Sequence, residues 1–169
     1  MGYVHDTHFS MFIPPAAIGK SAGTWTPALA SNLASEGRGA ADASFTLNIP
    51  ILIPSNDSAL KGAKLKSVDV WYKIATAAAD DFATVELNKV TLPATGTAPT
   101  GAEVTTTQDT GHDTAAERKA AGDHTMTVTV TTPEWADDAA AYILSLIVDA
   151  AATTVFTLYG ARANFELRA

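Results

Sequence analysis

Hydrophobic and polar residues alternate with a period of two over most of the chain from Ser44 onward. The clearest run is residues 125–131, in which Met126, Val128 and Val130 alternate with threonines. Successive side chains of a β-strand point to opposite faces, so such a run has one apolar face and one polar face. The pattern predicts short antiparallel strands, each with one face against a core and one face in water. Further runs of this kind occupy residues 45–53, 67–74, 84–88, 142–148, 155–159 and 161–168.

Turn residues and breakers separate these runs and limit the choice of fold. Pro50 lies inside an otherwise regular run, and because proline has no N–H to donate, we expect an edge strand or a bulge there. One helix is predicted over residues 114–121, since Thr114 and Glu117 have the spacing of a capping box and Gly122 follows as a stop signal. Seven or eight strands without alternating helices predict an all-β fold, an antiparallel β-sandwich of the jelly-roll or a related Greek-key type.

The first 43 residues have a different pattern, in which prolines and glycines interrupt any sustained period. Apolar residues still occur in this stretch, which a disordered tail would usually lack. We therefore predict two parts, an extended N-terminal arm over residues 1–43 and a β-sandwich domain over residues 44–169. The arm is expected to bury its apolar residues against another surface.

One short helix and one hinge are expected within the arm. Thr26 and Pro27 suit the start of a helix that would run to about Ser35, with two leucines spaced i, i+4 on one side. Arg38 lies between two glycines, which is typical of a hinge-like turn.

Composition and charge exclude several classes of protein. The chain has 169 residues, a formal net charge of −7 and no cysteine, and 33 alanines and 23 threonines make up about a third of it. Without cysteine there is no disulfide and no cysteine-ligated metal centre. The acidic balance argues against a nucleic-acid partner. The apolar runs are far shorter than the ~20 residues of a transmembrane helix, so no membrane partner is expected.

The histidines are the first candidates for chemistry. His112 and Asp113 precede the predicted helix and His124 follows it, an arrangement open to a base or a metal site. The alternative is structural, with Asp113 or Thr114 capping the helix and His124 opening a strand. His5 and His8 form an H-D-x-H cluster that lacks a third metal ligand. Nucleophile-elbow and phosphate-binding motifs are absent from the sequence, so we predict no enzyme, no metal and no cofactor.

Aromatic and large aliphatic residues are the best candidates for an interface. Trp71 falls on the opposite face of its run from the neighbouring valines and is expected to point outward. An outward tryptophan suits either stacking on a sugar or contact with the arm or a neighbouring subunit. The interface candidates are Phe9, Phe12, Ile13, Trp25 and Trp71.

Several blocks of the sequence resemble small Ala/Thr-rich proteins encoded by tailed bacteriophages. The likeness runs from about Phe45 to the end, and the blocks that carry it are residues 82–85, 107–135 and 149–165. The resemblance implies a β-sandwich located in the virion after assembly in the bacterial cytoplasm, as a capsid-decoration, head-fibre or tail subunit. We expect such a subunit to form a homo-oligomer, with a trimer as one option, that assembles through its N-terminal arm and sandwich faces and contacts other virion proteins. It supplies no catalytic or binding residues.

The alternative is a glycan-binding β-sandwich module that attaches to a host-surface glycan. Trp71 or Trp135 would then be the platform on which a sugar stacks. The sequence alone leaves both functions open.

Overall fold

Two antiparallel sheets enclose the core in the computed structural model, which describes residues 6–30, 33–53, 63–136 and 139–168. Sheet A contains, in spatial order, β3 (Trp25–Ala30), β4 (Leu33–Arg38), β12 (Val155–Arg168), β6 (Ala63–Ala75), β10 (Gly122–Val130) and β9 (Thr106–Gln108), and β1 (Asp6–Ile13) also pairs with β12. Sheet B contains β2 (Gly19–Lys20), β5 (Ala43–Ile51), β11 (Ala140–Ala150), β7 (Asp81–Thr91) and β8 (Thr100–Val104). The helical elements are a short 3-10 turn (Pro15–Ala17) and α1 (Ala115–Arg118).

The order of the strands is that of a jelly roll. Numbering β4, β5, β6, β7, β8, β10, β11 and β12 from one to eight, sheet A has the order 1-8-3-6 and sheet B the order 2-7-4-5. This order contains two Greek keys, in which strands that follow each other in sequence lie in opposite sheets or pair as hairpins. The predicted all-β, antiparallel sandwich of jelly-roll type is therefore confirmed.

The core forms between the apolar faces that the alternation predicts. Aromatic rings connect the two sheets: Phe156 lies 5.2 Å from Phe45 and Tyr72 lies 5.6 Å from Phe82, measured between ring centroids. Tyr72 and Phe156 also stack on each other at 5.4 Å within sheet A. Such ring pairs add about 0.5–1.5 kcal/mol each to the stabilisation from burial alone.

The described part of residues 1–43 adds strands to both sheets. β1 runs antiparallel to β12 from Asp6, opposite Arg168, to Ile13, opposite Ala161. β2 pairs with β5, and the β3–β4 pair extends sheet A beyond β12. The surface against which this segment buries its apolar residues is thus the sandwich of its own chain. The division into an arm and a domain stays a prediction.

The predicted helix from Pro27 to Ser35 is wrong. Residues 25–30 and 33–38 are the paired strands β3 and β4 instead. Proline is tolerated because β3 is the edge strand of sheet A. A helix of nine residues is marginal on its own, whereas pairing of β4 with β12 stabilises the extended conformation. The expected hinge at Arg38 is wrong as well, since Arg38 ends β4 with its side chain buried.

Two other local predictions are confirmed. Oγ1 of Thr114 accepts a hydrogen bond from the backbone N–H of Glu117, whose carboxylate accepts from the backbone N–H of Thr114, so α1 begins with a complete capping box. The helix is shorter than predicted, however, because it ends at Arg118 and does not continue to residue 121. Pro50 lies near the end of β5, whose outer side pairs with the short β2 only at Leu47 and Asn48. Beyond Asn48, that side of β5 has no partner among the described strands, so the missing N–H of Pro50 costs nothing there.

Candidate functional site

A chain of hydrogen bonds links Asp109 to His112 and His124 beside α1. Nδ1 of His112 lies 2.8 Å from Oδ2 of Asp109, and Nε2 of His112 lies 3.2 Å from Nδ1 of His124. Nε2 of His124 lies 2.9 Å from the backbone carbonyl oxygen of Ala120 and donates to it. All ring nitrogens of both histidines are therefore engaged within the fold. Neither can take a proton from a substrate or bind a metal unless one of these bonds is broken.

The carboxylate in this chain is that of Asp109, so Asp113 does not group with His112 and His124. The structural alternative holds instead, since Thr114 caps α1 and His124 lies near the start of β10. Asp113 is exposed beside Glu117, and their hydrogen bond raises the pKa of Asp113. Burial raises the pKa of Asp109, but hydrogen bonds from His112 and from the backbone N–H of Thr127 outweigh it and hold that pKa below the ordinary 3.8. Asp109 is thus an ionised acceptor that fixes the orientation of the His112 ring.

Arg118 and Tyr72 fill the space around the two histidines. The guanidinium of Arg118 donates to the carbonyl oxygens of Phe82, His112 and Ala83 at 2.8, 2.8 and 3.1 Å, and the residue is only 5% exposed. Tyr72 stacks on the His124 ring at 4.6 Å and donates its hydroxyl to the carbonyl oxygen of Arg118. Burial raises the pKa of the Tyr72 hydroxyl. These contacts attach α1 to β6 and β7. Arg118 and Tyr72 therefore stabilise the fold around the two histidines.

Trp71 lies on the outer face of sheet A, where it is half-buried beneath Arg162. The guanidinium carbon of Arg162 is 5.3 Å from the centre of the Trp71 ring. Nη2 of Arg162 in turn lies 2.7 Å from Oδ2 of Asp69, which also accepts a hydrogen bond from Asn164, and Oδ1 of Asp69 accepts one from the hydroxyl of Thr127. Asp69 is 6% exposed although it belongs to the outer face, so this network forms a rigid polar layer over β6, β10 and β12.

The other two tryptophans also carry a cation over their rings. Nζ of Lys20 lies 5.7 Å from the centre of the Trp25 ring, and Nζ of Lys64 lies 4.4 Å from that of Trp135. Trp25 further contacts the rings of Phe45 and Phe156 edge-on. Trp25 therefore packs against the core of its own chain.

The three interface candidates on β1 divide between its two faces. Phe9 stacks on Phe165 with ring centroids 5.6 Å apart, and Ile13 is buried in the core. Phe12 points to the outer face of sheet A and is 61% exposed. Of these three residues, only Phe12 leaves most of its side chain exposed.

An apolar groove opens beside Phe12, between the end of β1 and the end of β5. We name it the Phe12–Leu52 groove after the two large hydrophobic residues of its lining that are exposed. Its volume is about 140 Å³, and no charged side chain lines it. The lining residues are Met11, Phe12, Ile13, Pro14, Ala17, Pro50, Leu52 and Ala163.

A second cavity of about 310 Å³ lies near the point where the chain crosses from β8 in sheet B to β9 in sheet A. Leu65 and Val130 contribute apolar walls, while Glu103, Lys89 and Glu134 contribute charged groups. Nζ of Lys89 lies 3.3 Å from Oε2 of Glu134. This cavity and the Phe12–Leu52 groove are both lined by residues other than the two histidines.

The described residues contain no group of three or more His, Asp or Glu side chains that could hold a metal ion. In the H-D-x-H cluster, His5 lies outside the described residues and His8 is exposed. Within the same ranges, no helix has both the length and the apolar character to cross a membrane.

Sequence reasoning missed Leu52, Gly160 and Asp109. Leu52 had a signal, because it is an apolar residue at a position of its run that should be polar. Gly160 follows a strand-like run without a turn motif, and Asp109 is one of several aspartates near the histidines. Their roles depend on contacts between residues that are distant in sequence or on the path of a loop.

Comparison with known proteins assigns no function to these residues. No protein-family model matches the chain, and no curated protein matches it significantly.

Proposed function

We propose that the protein is a non-enzymatic structural subunit of a bacteriophage virion, of the capsid-decoration, head-fibre or tail type. The observation that carries the proposal is the pair of exposed apolar side chains, Phe12 and Leu52, on the rim of an uncharged groove. Exposed apolar surface that is clustered rather than scattered is typical of a protein–protein interface. A subunit of a repeated assembly needs such a surface.

Three further features support this function. Jelly rolls are common among viral capsid domains, although a fold alone does not fix a function. The blocks that resemble phage proteins include residues 107–135 and 149–165, which contain β10 and most of β12 of sheet A. The ring nitrogens of His112 and His124 are all committed to internal hydrogen bonds, which favours a non-catalytic role.

The proposal is tested by measuring the chain in purified particles of a phage that encodes it. Particles are banded on a density gradient, and quantitative mass spectrometry gives the ratio of this chain to the major capsid protein. We expect a fixed ratio that corresponds to several copies per particle in every fraction of the band. A non-structural phage protein of similar abundance in the lysate controls for carry-over. A chain that is abundant in the lysate and reduced to carry-over level in the particles would contradict the proposal.

A second candidate, a glycan-binding module, is favoured by the cavity of about 310 Å³. Its apolar walls, together with Glu103 and Lys89, offer the mixture of surfaces that a sugar ring uses. Binding to a glycan array that is lost in Glu103→Gln and retained in Glu86→Gln, an exposed glutamate on β7, would support this candidate. No signal on the array would remove it, and so would binding that Glu103→Gln leaves unchanged. Binding that is lost in Trp71→Ala but not in Glu103→Gln would instead indicate a sugar site on the outer face of sheet A.

A further inference from the structure

The hydrogen bonds of His112 and His124, which we call the histidine pair, end at both sides on groups that only accept. Oδ2 of Asp109 lies beside Nδ1 of His112, and the backbone carbonyl oxygen of Ala120 lies beside Nε2 of His124. An ionised carboxylate and a carbonyl oxygen have no proton to donate. Nδ1 of His112 and Nε2 of His124 must therefore each carry a proton toward these acceptors.

The bond between the two rings needs a third proton. Nε2 of His112 lies 3.2 Å from Nδ1 of His124. A neutral imidazole has one N–H and one unprotonated nitrogen, so two neutral rings use both of their protons at the outer acceptors. The two inner nitrogens would then face each other with lone pairs alone. Three protons on the two rings, one more than two neutral rings hold, complete all three hydrogen bonds.

Other tautomers of two neutral rings move this conflict without removing it. If Nδ1 of His124 donates to His112, the unprotonated Nε2 of His124 faces the carbonyl oxygen of Ala120 at 2.9 Å. If Nε2 of His112 donates to His124 instead, the unprotonated Nδ1 of His112 faces the carboxylate of Asp109 at 2.8 Å. Every neutral arrangement thus leaves two acceptors in contact, which costs free energy where water is excluded.

The charges closest to the pair balance one additional positive charge. Asp109 contacts His112 directly, and Glu117 of α1 is a second carboxylate that interacts electrostatically with His112. The opposing cation is Arg118 of α1, whose guanidinium is engaged by three backbone carbonyl oxygens. With one extra proton on the histidine pair, these groups together carry no net charge.

The strands packed against the pair add no uncompensated charge. Tyr72 of β6 stacks on the His124 ring at 4.6 Å, and an aromatic face stabilises a cation placed over it. The other charged groups on α1, β6, β7 and β10 near the pair lie toward solvent: Asp81, Asp113, Lys119 and the ion pair of Lys73 with Asp123.

We propose that the histidine pair is a proton-binding site that holds one proton more than two neutral rings, at a pH at which a free histidine is neutral. This inference goes beyond the proposed virion role and does not depend on it. The bound proton joins the loop at His112 to β10 at His124 and to the end of the helical segment at Ala120. Release of the proton at high pH breaks one of the three bonds and loosens the segment over residues 109–121.

A proton that the folded protein holds and the unfolded chain does not hold makes stability depend on pH. The unfolded chain loses this proton as the pH rises through about 6.5, the value of an ordinary histidine. The stabilisation is therefore fully present below that pH and is lost as the pH rises to the point at which the folded pair releases its proton. Between these two points the equilibrium constant for folding should fall about tenfold per pH unit.

The direct test counts the protons on the rings by long-range proton–nitrogen correlation NMR of the full chain with isotope-labelled histidine. It is recorded at about pH 7.5, one unit above the value of an ordinary histidine. The signals of the pair are assigned by their loss in His112→Asn and His124→Asn. We expect three protons on the pair and a single proton on His8, which is exposed. One unprotonated nitrogen on each ring of the pair overturns the inference.

A second measurement follows the free energy of unfolding of the same proteins between about pH 6.5 and 8. The amide of an asparagine donates a hydrogen bond without an additional proton. His124→Asn should therefore remove the fall of the folding constant with pH, whereas His8→Asn, the matched control at an exposed histidine, should retain it. A native chain without this fall, or a fall that both variants retain, overturns the inference.

Discussion

Gly160 on β12 lies directly beneath the ring of Phe12 on β1. A Cβ atom on Gly160 would lie 2.9 Å from Cζ of Phe12 and 2.7 Å from the carbonyl oxygen of Ile13. The φ angle of Gly160 is +123°, a conformation that residues with a side chain rarely adopt. The register between β12 and β6 also shifts at this point, between Leu158 and Gly160. The glycine thus allows β1 to approach β12 closely and sets Phe12 on the rim of the groove.

Gly160→Ala should destabilise the protein by about 1–3 kcal/mol, because it adds backbone strain and forces Phe12 and Ile13 away from β12. Urea unfolding gives the change in the free energy of unfolding. Gly101→Ala is the control, because a Cβ at Gly101 would meet nothing within 4 Å. That variant should change stability by no more than about 0.5 kcal/mol. Equal stability of the two variants would show that Gly160 is not required at this contact.

Asp69→Asn should destabilise the protein by about 1–3 kcal/mol at neutral pH, because the hydrogen bonds to a charged carboxylate are weakened. Burial raises the pKa of Asp69, but hydrogen bonds from Asn164, Arg162 and Thr127 outweigh it, so the folded-state pKa lies below 3.8. A lowered folded-state pKa means that the stabilisation is present above the unfolded-state value and is lost as the pH falls through the folded-state value. The difference between the native protein and the variant should therefore shrink below about pH 3.8.

The control for this variant is Asp123→Asn, which removes the same charge from an ion pair at the surface. Oδ1 of Asp123 lies 3.4 Å from Nζ of Lys73, and the Asp123 side chain is 74% exposed. Exposed pairs of this kind contribute at most about 1 kcal/mol. Denaturation curves at several pH values compare the three proteins. A difference for Asp69→Asn that stays constant with pH would contradict the assigned role of its carboxylate.

Asp109→Asn should lower stability by about 1–2 kcal/mol, whereas Asp113→Asn should not lower it. An asparagine keeps one carbonyl oxygen but presents an NH₂ group either to His112 or to the backbone N–H of Thr127, both of which donate to Asp109. Asp113 shares a hydrogen bond with Glu117 that disfavours its ionised form, so removal of its charge relieves repulsion. Thermal unfolding at neutral pH measures both. A larger loss for Asp113→Asn would show that the wrong carboxylate has been paired with His112.

Strands in which apolar and polar residues alternate regularly could be predicted from the sequence. The alternation in residues 125–131 and 45–53 reports directly which side chains face the core, and the Thr114–Glu117 spacing reports the start of α1. β1 was not predicted in this way, because its outward residue Phe12 is apolar and Pro14 and Pro15 follow it, so the run shows no regular alternation. Its pairing with β12 joins residues as far apart as Ser10 and Asn164, whose side chains are hydrogen-bonded.

The candidate sites were predictable only in part. Phe12 was identified as an apolar residue near the start, but only its neighbour across the sheet determines that it faces outward while Phe9 and Ile13 face the core. The histidines were identified from their positions around the helix, whereas the choice of Asp109 over Asp113 follows from the turn that brings Asp109 to the Thr127 backbone. Side-chain chemistry is visible in the sequence, but orientation across a sheet and through a loop is not.

The central claim is that the Phe12–Leu52 groove is a surface through which this chain assembles into the virion. Hydroxyl-radical footprinting of the free chain and of the chain in purified particles measures it most directly because it reports the exposure of individual side chains. The account predicts that Phe12 and Leu52 become more strongly protected in the particles than Leu92 and Ile147, the other exposed large hydrophobic residues described. Equal modification of Phe12 and Leu52 in the free chain and in the particles would contradict it.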